Sequence, residues 1–374
     1  MEQQQSKSLF ARAQRFFLSS MGCASSNVGR EELSLALPLS CDRGEAGSGP
    51  SRSFREGYDL KGKLGKGAFA QVHLAHRVPE GSAVAVKITD LRGAHREDRV
   101  DADPKVRRAV EREVVILRRV GVQDYCVNYF EDYTEGLLAY IVMERCDMTL
   151  LQALERSSEF TERTLVRIFR EMLQGVRSIH QLGVIHRDIK PDNFLCTGEH
   201  STVKLCDFGL ADVLPSPAAE LKGVYGTAPF MSPEMLAAIG YGAATDVWSL
   251  GVIAYVLLFG RFPYQPVEAT AKAMKAAIVA GVPAPSFRPK SSLDPGNQCR
   301  ISADALEFLH AALDRNKASR PTASAALSMA WLNEAAASTQ WGVPSLRPML
   351  FAAKRVGAFD VRGNSPHDKS SGVD

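Results

Sequence analysis

The chain has 374 residues, 45% of them hydrophobic and 23% charged, an ordinary globular composition long enough for one large domain or two lobes. Its net charge of +3 is too small to point to nucleic acid or to a strongly basic membrane face, so no nucleic-acid partner is expected. The 7 cysteines are scattered and form no C-x-x-C pair; this argues against a disulfide framework or a zinc site, and for reduced thiols in a cytoplasmic-type compartment.

In chain order, residues 1–20 carry Lys7, Arg12 and Arg15 against a single acid, Glu2, which is weakly like a transit peptide; a disordered tail is the plainer reading. MGCASS at 21–26 has the form of a lipidation signal, with Gly22 as myristoyl acceptor and Cys23 as palmitoyl acceptor. Such a signal works only at a mature N-terminus. Membrane association is therefore expected only after a start at Met21, and it needs both lipids, because one myristoyl chain binds marginally. Residues 1–57 as a whole are rich in Ser and Gly and read as a disordered tail.

Patterned sequence starts at Tyr58. YDLKGKLGKGAFAQVHLAHR predicts two strands around a glycine turn, and SAVAVKI (82–88) and LLAYIVME (137–144) predict further strands. Between them, PKVRRAVEREVVILRRV (104–120) places Val106, Val110, Val114 and Leu117 at helical spacing. Helices are expected at 161–180, 246–259, 302–313 and 321–332. The longest apolar run, LGVIAYVLLFG (250–260), is about half the ~20 residues a membrane span needs and reads as a buried core helix. Strands first and helices later predict an α+β fold with two unequal lobes.

The chemistry concentrates in three places. Gly65 and Gly67 in LGKGAFAQV (64–72) would let a backbone turn approach phosphates, although a lone G-x-G serves equally as a hairpin turn. HRDIKPDN (186–193) gathers His, Arg, Asp, Lys and Asn within one short loop, where Asp188 can accept a proton and Asn193 can ligate a metal. CDFG (206–209) adds a second carboxylate, Asp207. Two carboxylates and an amide are the hard oxygen ligands that Mg²⁺ prefers.

With these motifs in order, residues 58–332 resemble the catalytic domain of the eukaryotic protein kinases. KPDN after HRD, and Gly226-Thr227 ahead of Pro233-Glu234, are similar to the serine/threonine class. AYIVMERC and RPTASAALSMAWL are similar to the calcium/calmodulin-dependent group, most of all to the calcium-dependent protein kinases of plants and protists. The resemblance implies a small β-rich N-lobe (58–145), a larger helical C-lobe (146–332), ATP and Mg²⁺ between them, and protein substrates. It implies that Lys87 holds the α- and β-phosphates, that Glu113 pairs with Lys87, and that Asn193 and Asp207 hold Mg²⁺. Asp188 would orient and deprotonate the acceptor hydroxyl, and Lys190 would neutralise the γ-phosphate. The loop of Gly65, Lys66, Gly67, Ala68, Phe69 and Ala70 would cover the phosphates. Leu64, Val72, Ala85, Met143 and Leu195 would sandwich the adenine, with Glu144 and Cys146 offering backbone hydrogen bonds. Asp246 would orient the catalytic loop, and Glu234 with Arg320 would tie the activation segment to the C-lobe.

Departures from the pattern are informative. Ala70 replaces the third glycine, Ser232 stands in SPE where APE is usual, and Thr149 stands where an acid often reads basic substrates, although Asp192 remains. No Ser, Thr or Tyr lies between Ser216 and Tyr225, and the usual phosphorylation position is Gly223. Glu220, the only acid there, is therefore expected to stand in for a phosphate opposite Arg187. Beyond the domain, 333–374 reads as a tail. No stretch matches the calcium loop of an EF-hand, but 345–362 is basic and amphipathic, with Leu346, Leu350, Ala353 and Phe359 at helical spacing. It reads as a short helix packed on the domain, with binding of a calmodulin-like sensor or autoinhibition as alternatives; Pro348 and Gly357 weaken the helix. Two rivals to a protein kinase are a pseudokinase scaffold and a small-molecule phosphotransferase. The five key side chains Lys87, Glu113, Asp188, Asn193 and Asp207 disfavour the first, and GTAPFMSPE with Arg320 disfavours the second.

Overall fold

The computed structural model describes residues 53–66, 70–93, 100–288, 301–333 and 345–359, with only the backbone of Lys66. The first lobe opens with a short helix α1 (Phe54–Gly57), followed by β1 (Tyr58–Lys66), β2 (Ala70–Arg77), β3 (Ala83–Asp90), helix α2 (Pro104–Val120), β4 (Tyr129–Glu135) and β5 (Leu138–Glu144). The five strands form one antiparallel sheet in the order β1-β2-β3-β5-β4. The lobe begins earlier than the sequence pattern indicates. Phe54 is fully buried and stacks on Tyr140 at 4.2 Å and on Tyr58 at 5.2 Å. Burial of such a ring contributes roughly 1.5–3 kcal/mol, so the tail expected over 1–57 gives way to structure at its last residues; MGCASS lies outside the described residues.

Helix α2 has conventional ends. Asp103 caps it by accepting from the Lys105 N–H, Pro104 sits in the first turn, where its missing donor costs nothing, and Gly121 follows the last turn. Its buried face carries Val114, Ile116, Leu117 and Val120 into the large hydrophobic core. Glu113 is buried on that same helix. Strand β4 escaped the sequence reading because it is an edge strand, YFEDYTE, with no fully buried residue and hence no clear alternation.

The second lobe continues with β6 (Met148–Thr149), α3 (Leu150–Arg156), α4 (Glu162–Gln181), β7 (Val184–Ile185), β8 (Phe194–Thr197), β9 (Thr202–Leu205), β10 (Asp212–Val213), α5 (Pro233–Leu236), α6 (Ala244–Phe259), α7 (Ala271–Ala280), α8 (Ala303–Ala312), α9 (Ala323–Leu327) and α10 (Arg347–Arg355). Helix α6 is buried on all sides, as the apolar run 250–260 leads one to expect. Among the described residues, no helix is long and apolar enough to cross a membrane. Around α6 gather α4, α8 and α10. Two antiparallel ribbons, β6-β8-β9 and β10-β7, frame the loop 186–193.

Helix α10 carries the described part of the basic amphipathic segment. Leu346, Met349, Leu350, Ala353 and Phe359 are all buried in the same core as α6. The Leu346 N–H donates to the Phe160 carbonyl at 2.7 Å, Arg347 reaches the carbonyl of Ser157, and Lys354 pairs with Glu155. The two residues expected to weaken this helix act as its punctuation. Pro348 lies in the first turn, and Gly357 adopts φ 76° just past the end, where the Ala358 and Gly357 N–H groups cap the Ala353 and Lys354 carbonyls. The C-lobe core therefore extends past Leu332 to Phe359, and the four apolar positions that would suit a sensor's groove are already occupied.

Candidate active site

Strand β3 positions the first functional side chain. Residues paired directly across a sheet share a face, as do residues two apart on one strand. The register pairs Val72 with Lys87 and Ala85 with Met143. Val72, Ala85, Lys87 and Met143 thus face the same way. Lys87 shows that this way is toward the second lobe: its Nζ donates to Glu113 Oε1 at 2.6 Å on α2 and to Asp207 Oδ1 at 3.0 Å across the cleft. Burial acts against the lysine charge, but Asp207 and Glu113 outweigh it and raise its pKa. Lys87 in turn holds Asp207 at about 2, so that carboxylate is ionised at neutral pH. Burial keeps Glu113 above the usual carboxylate range although Lys87 pulls it down. The Asp207 side chain remains 53% exposed, toward the cleft.

The loop 186–193 brings its residues together by bending. Arg187 and Asp207 adopt φ of 67° and 60°, each costing roughly 1–2 kcal/mol in an L-residue. Asp246, buried at the start of α6, holds the first bend: its carboxylate accepts from the His186 N–H at 2.9 Å, the Arg187 N–H at 3.0 Å and His180 Nε2 at 2.8 Å. Burial pushes the Asp246 carboxyl upward, but these donors overcome it and lower its pKa. Phe208 is buried against His186 with ring centroids 5.3 Å apart, which seats the DFG turn on the loop. Asn193 Nδ2 donates to the Asp188 carbonyl at 2.8 Å, so the amide oxygen is the atom left for a cation. Asp188 pairs with Lys190 at 2.8 Å, and burial, though opposing the lysine charge, is outweighed by Asp188.

The remaining predicted residues fall at the cleft's edges. Leu64 and Gly65 lie at the end of β1, and Gly65 pairs with Val72; Ala70 opens β2. Lys66 ends β1, and Gly67, Ala68 and Phe69 lie outside the described residues. Leu195 lies on β8 in the opposite lobe. Met143 and Glu144 close β5, and Cys146 follows in the connection between the lobes, its thiol pushed up to about 12 by burial. The Glu144 carboxylate points away from a ligand role and binds Lys204 Nζ and Asn128 Nδ2. Far from the cleft, Arg320 makes a bidentate pair with Glu234 at 2.7 and 2.8 Å and also donates to the carbonyls of Ala244 and Asp314.

Comparison with known proteins accords with this geometry. The chain matches the protein kinase domain family over residues 58–332. It is a member of the protein kinase family. It is 31% identical over 301 residues to the calcium/calmodulin-dependent protein kinase type 1 of Caenorhabditis elegans, covering 79% of this chain and 80% of that one. It is 32% identical over 291 residues to CDPK-related kinase 7 of Arabidopsis thaliana, covering 76% of this chain and 47% of the relative. It is 31% identical over 309 residues to calcium/calmodulin-dependent serine/threonine-protein kinase 1 of Oryza sativa, covering 79% and 48%. The chain is a serine/threonine protein kinase of the calcium/calmodulin-dependent group, a family that uses ATP.

Three features of this kinase differ from, or add to, the sequence reading. Glu220 does not reach Arg187. It pairs with Lys317 beside Gly240, because Leu221 makes a bridge to Tyr241 and draws this part of the segment toward the C-lobe. Thr149 caps α3, exchanging hydrogen bonds with Gln152, which explains a hydroxyl at a position where an acid often stands. Thr227, quoted in the GT pair but given no task, donates through Oγ1 to Asp188 Oδ1 at 2.8 Å and accepts from Lys190 at 3.1 Å. Its neighbour Gly226, at φ 100°, lies so close to the loop that a Cβ there would stand 2.4 Å from the Arg187 carbonyl.

Proposed function

We propose that this kinase transfers the γ-phosphoryl group of ATP to a serine or threonine hydroxyl of a protein, using the residues gathered between its lobes. Supporting this most directly is the cluster at Lys87, where one ammonium meets both Glu113 at 2.6 Å and Asp207 at 3.0 Å. A lysine so held presents its charge to phosphates from a fixed position, which is most of what phosphoryl transfer asks of a protein. Val72, Ala85 and Met143 on one side and Leu195 on the other form the apolar slot for adenine.

The oxygen set fits Mg²⁺. Asp207 is ionised and half-exposed, Asn193 keeps its amide oxygen unclaimed by the bond to Asp188, and a hard cation that retains waters needs few protein ligands. Bound there, Mg²⁺ would neutralise phosphate charge. Asp188 takes the proton of the acceptor hydroxyl; of the roughly four lone-pair sites on its carboxylate, Thr227, Lys190 and Asn193 use three, which leaves one for this. Thr227 ties the platform for the protein substrate to the proton acceptor, so seating a substrate and aligning the base are one event.

The relatives' names bring a calcium sensor into view. We propose that residues 345–359 serve first as part of the C-lobe, since a sensor would have to pull Leu346, Leu350 and Phe359 out of the core. The test is transfer from labelled ATP to a basic protein, for wild type and Asp188→Ala, with and without calcium-loaded calmodulin. Transfer abolished by the substitution and indifferent to calmodulin is expected. Equal activity in the two proteins would revive the scaffold alternative, and activation by calmodulin would return the segment to a sensor.

A further inference from the structure

The activation segment has no hydroxyl between Ser216 and Tyr225, and Glu220 is engaged elsewhere. Yet Arg187, next to the catalytic aspartate and only 4% exposed, is not left uncompensated. Its Nη1 lies 3.2 Å from Asp212 Oδ2. Its Nε and Nη2 donate to the carbonyls of Leu210 at 2.6 Å and Ala211 at 3.4 Å, its Nη1 also meets the Tyr241 hydroxyl at 3.4 Å, and the Tyr225 ring lies over the guanidinium at 4.2 Å. The same Asp212 oxygen pairs with Arg112. Arg112 precedes Glu113 on α2, so this second arginine belongs to the helix that must keep Glu113 on Lys87.

From this juxtaposition we infer that Asp212 is an internal anionic clasp, a positioning residue that joins the catalytic loop to α2 where other designs would use an added phosphate. The reasoning is electrostatic and topological. Asp212 is the first residue of β10, paired with Ile185 just before the catalytic loop, so its carboxylate is placed by backbone and not by a free loop. Its Oδ1 accepts from the Val213 N–H, which fixes the rotamer. One carboxylate oxygen within ion-pair reach of two guanidinium groups attracts both, and its location, largely shielded at 22% exposure, limits screening. Arg187's fork is already engaged by these partners, so an incoming phosphate would have to displace them. The clasp makes the placement of α2, and with it the Lys87–Glu113 pair, a property of the folded chain.

This inference rests on the kinase reading, and the experiment separates the two. Purified full-length protein is treated with a phosphatase, and transfer to a basic protein is compared for wild type, Asp188→Ala, Asp212→Asn, Asp212→Glu, Arg112→Ala and the double variant Asp212→Asn/Arg112→Ala, with melting followed in parallel. Phosphatase-treated wild type is expected to keep its activity. Asp212→Asn should lose about tenfold in turnover, the factor that about 1.4 kcal/mol of lost positioning gives. Asp212→Glu should recover part of it, and the double variant should be no worse than the single ones. Arg112 is half-exposed, so its variant decides the matter should Asp212→Asn not fold. Loss of wild-type activity on phosphatase treatment, full activity of Asp212→Asn or of Arg112→Ala, or additive losses in the double variant would overturn the clasp while leaving the kinase reading intact. Absence of any transfer that Asp188→Ala abolishes would overturn both.

Discussion

At Lys87 one ammonium serves two carboxylates, Glu113 and Asp207, and the Asp207 side chain is 53% exposed. At Arg320 one guanidinium serves a single carboxylate, Glu234, in a pair where both side chains are almost wholly buried, and the backbone carbonyls of Ala244 and Asp314 accept two more of its N–H groups. The first cluster has an excess of negative charge facing the cleft and can accept a cation. The second is balanced and closed, so it can only hold things together. Equal chemistry thus yields a site at the boundary between the lobes and a rivet inside the C-lobe, according to the ratio of charges and the access of water.

The contrast can be broken in four ways. Arg320→Ala leaves Glu234 buried and unpaired and should cost about 3–5 kcal/mol of stability, read by urea unfolding; a small loss would place the pair among dispensable contacts. Leu350→Ala, at a residue 2% exposed, should cost about 2–5 kcal/mol. That result would extend the closed region through α10, and a neutral outcome would detach the helix from the core. Lys87→Met should reduce transfer by about 10²-fold, the scale for removing one preorganised electrostatic group, with melting preserved because Glu113, already raised by burial, takes up a proton. Unfolding of that variant would show the cleft cluster to be a rivet too. Glu220→Ala, which removes a half-exposed pair with Lys317, should leave transfer unchanged and cost less than about 1 kcal/mol; a fall in rate would return Glu220 to the catalytic account.

Much of the site was legible because its chemistry lies in short contiguous motifs. HRDIKPDN and DFG place Asp188, Lys190, Asn193 and Asp207 in two short motifs, whereas Lys87 and Glu113, each a lone charge on a strand or a helix, were marked only by the resemblance to the kinase family. Strands rich in apolar and β-branched residues, such as AVAVKITD and LAYIVME, were legible as well, whereas edge strand β4, YFEDYTE, with its three acidic residues, was not. Phe54 was hidden because a lone aromatic in a polar stretch has no periodicity to announce its burial. The partner of Arg187 was misjudged for a different reason. Sequence position suggested an acid near Gly223, but the bridge between Leu221 and Tyr241 turns Glu220 toward Lys317, and Asp212 reaches the arginine from a strand.

The sequence by itself determined the α+β class through local pattern and, through motifs it shares with the protein kinases, the serine/threonine kinase family and the charged side chains assigned to the cleft. Only the tertiary structure decided how those charges are shared: Lys87 between two acids, Asp188 with Thr227, Asp212 between two arginines, and the apolar face of α10 with the core. Ion pairing and burial depend on distances between segments far apart in the chain, and those distances exist only once the lobes have packed.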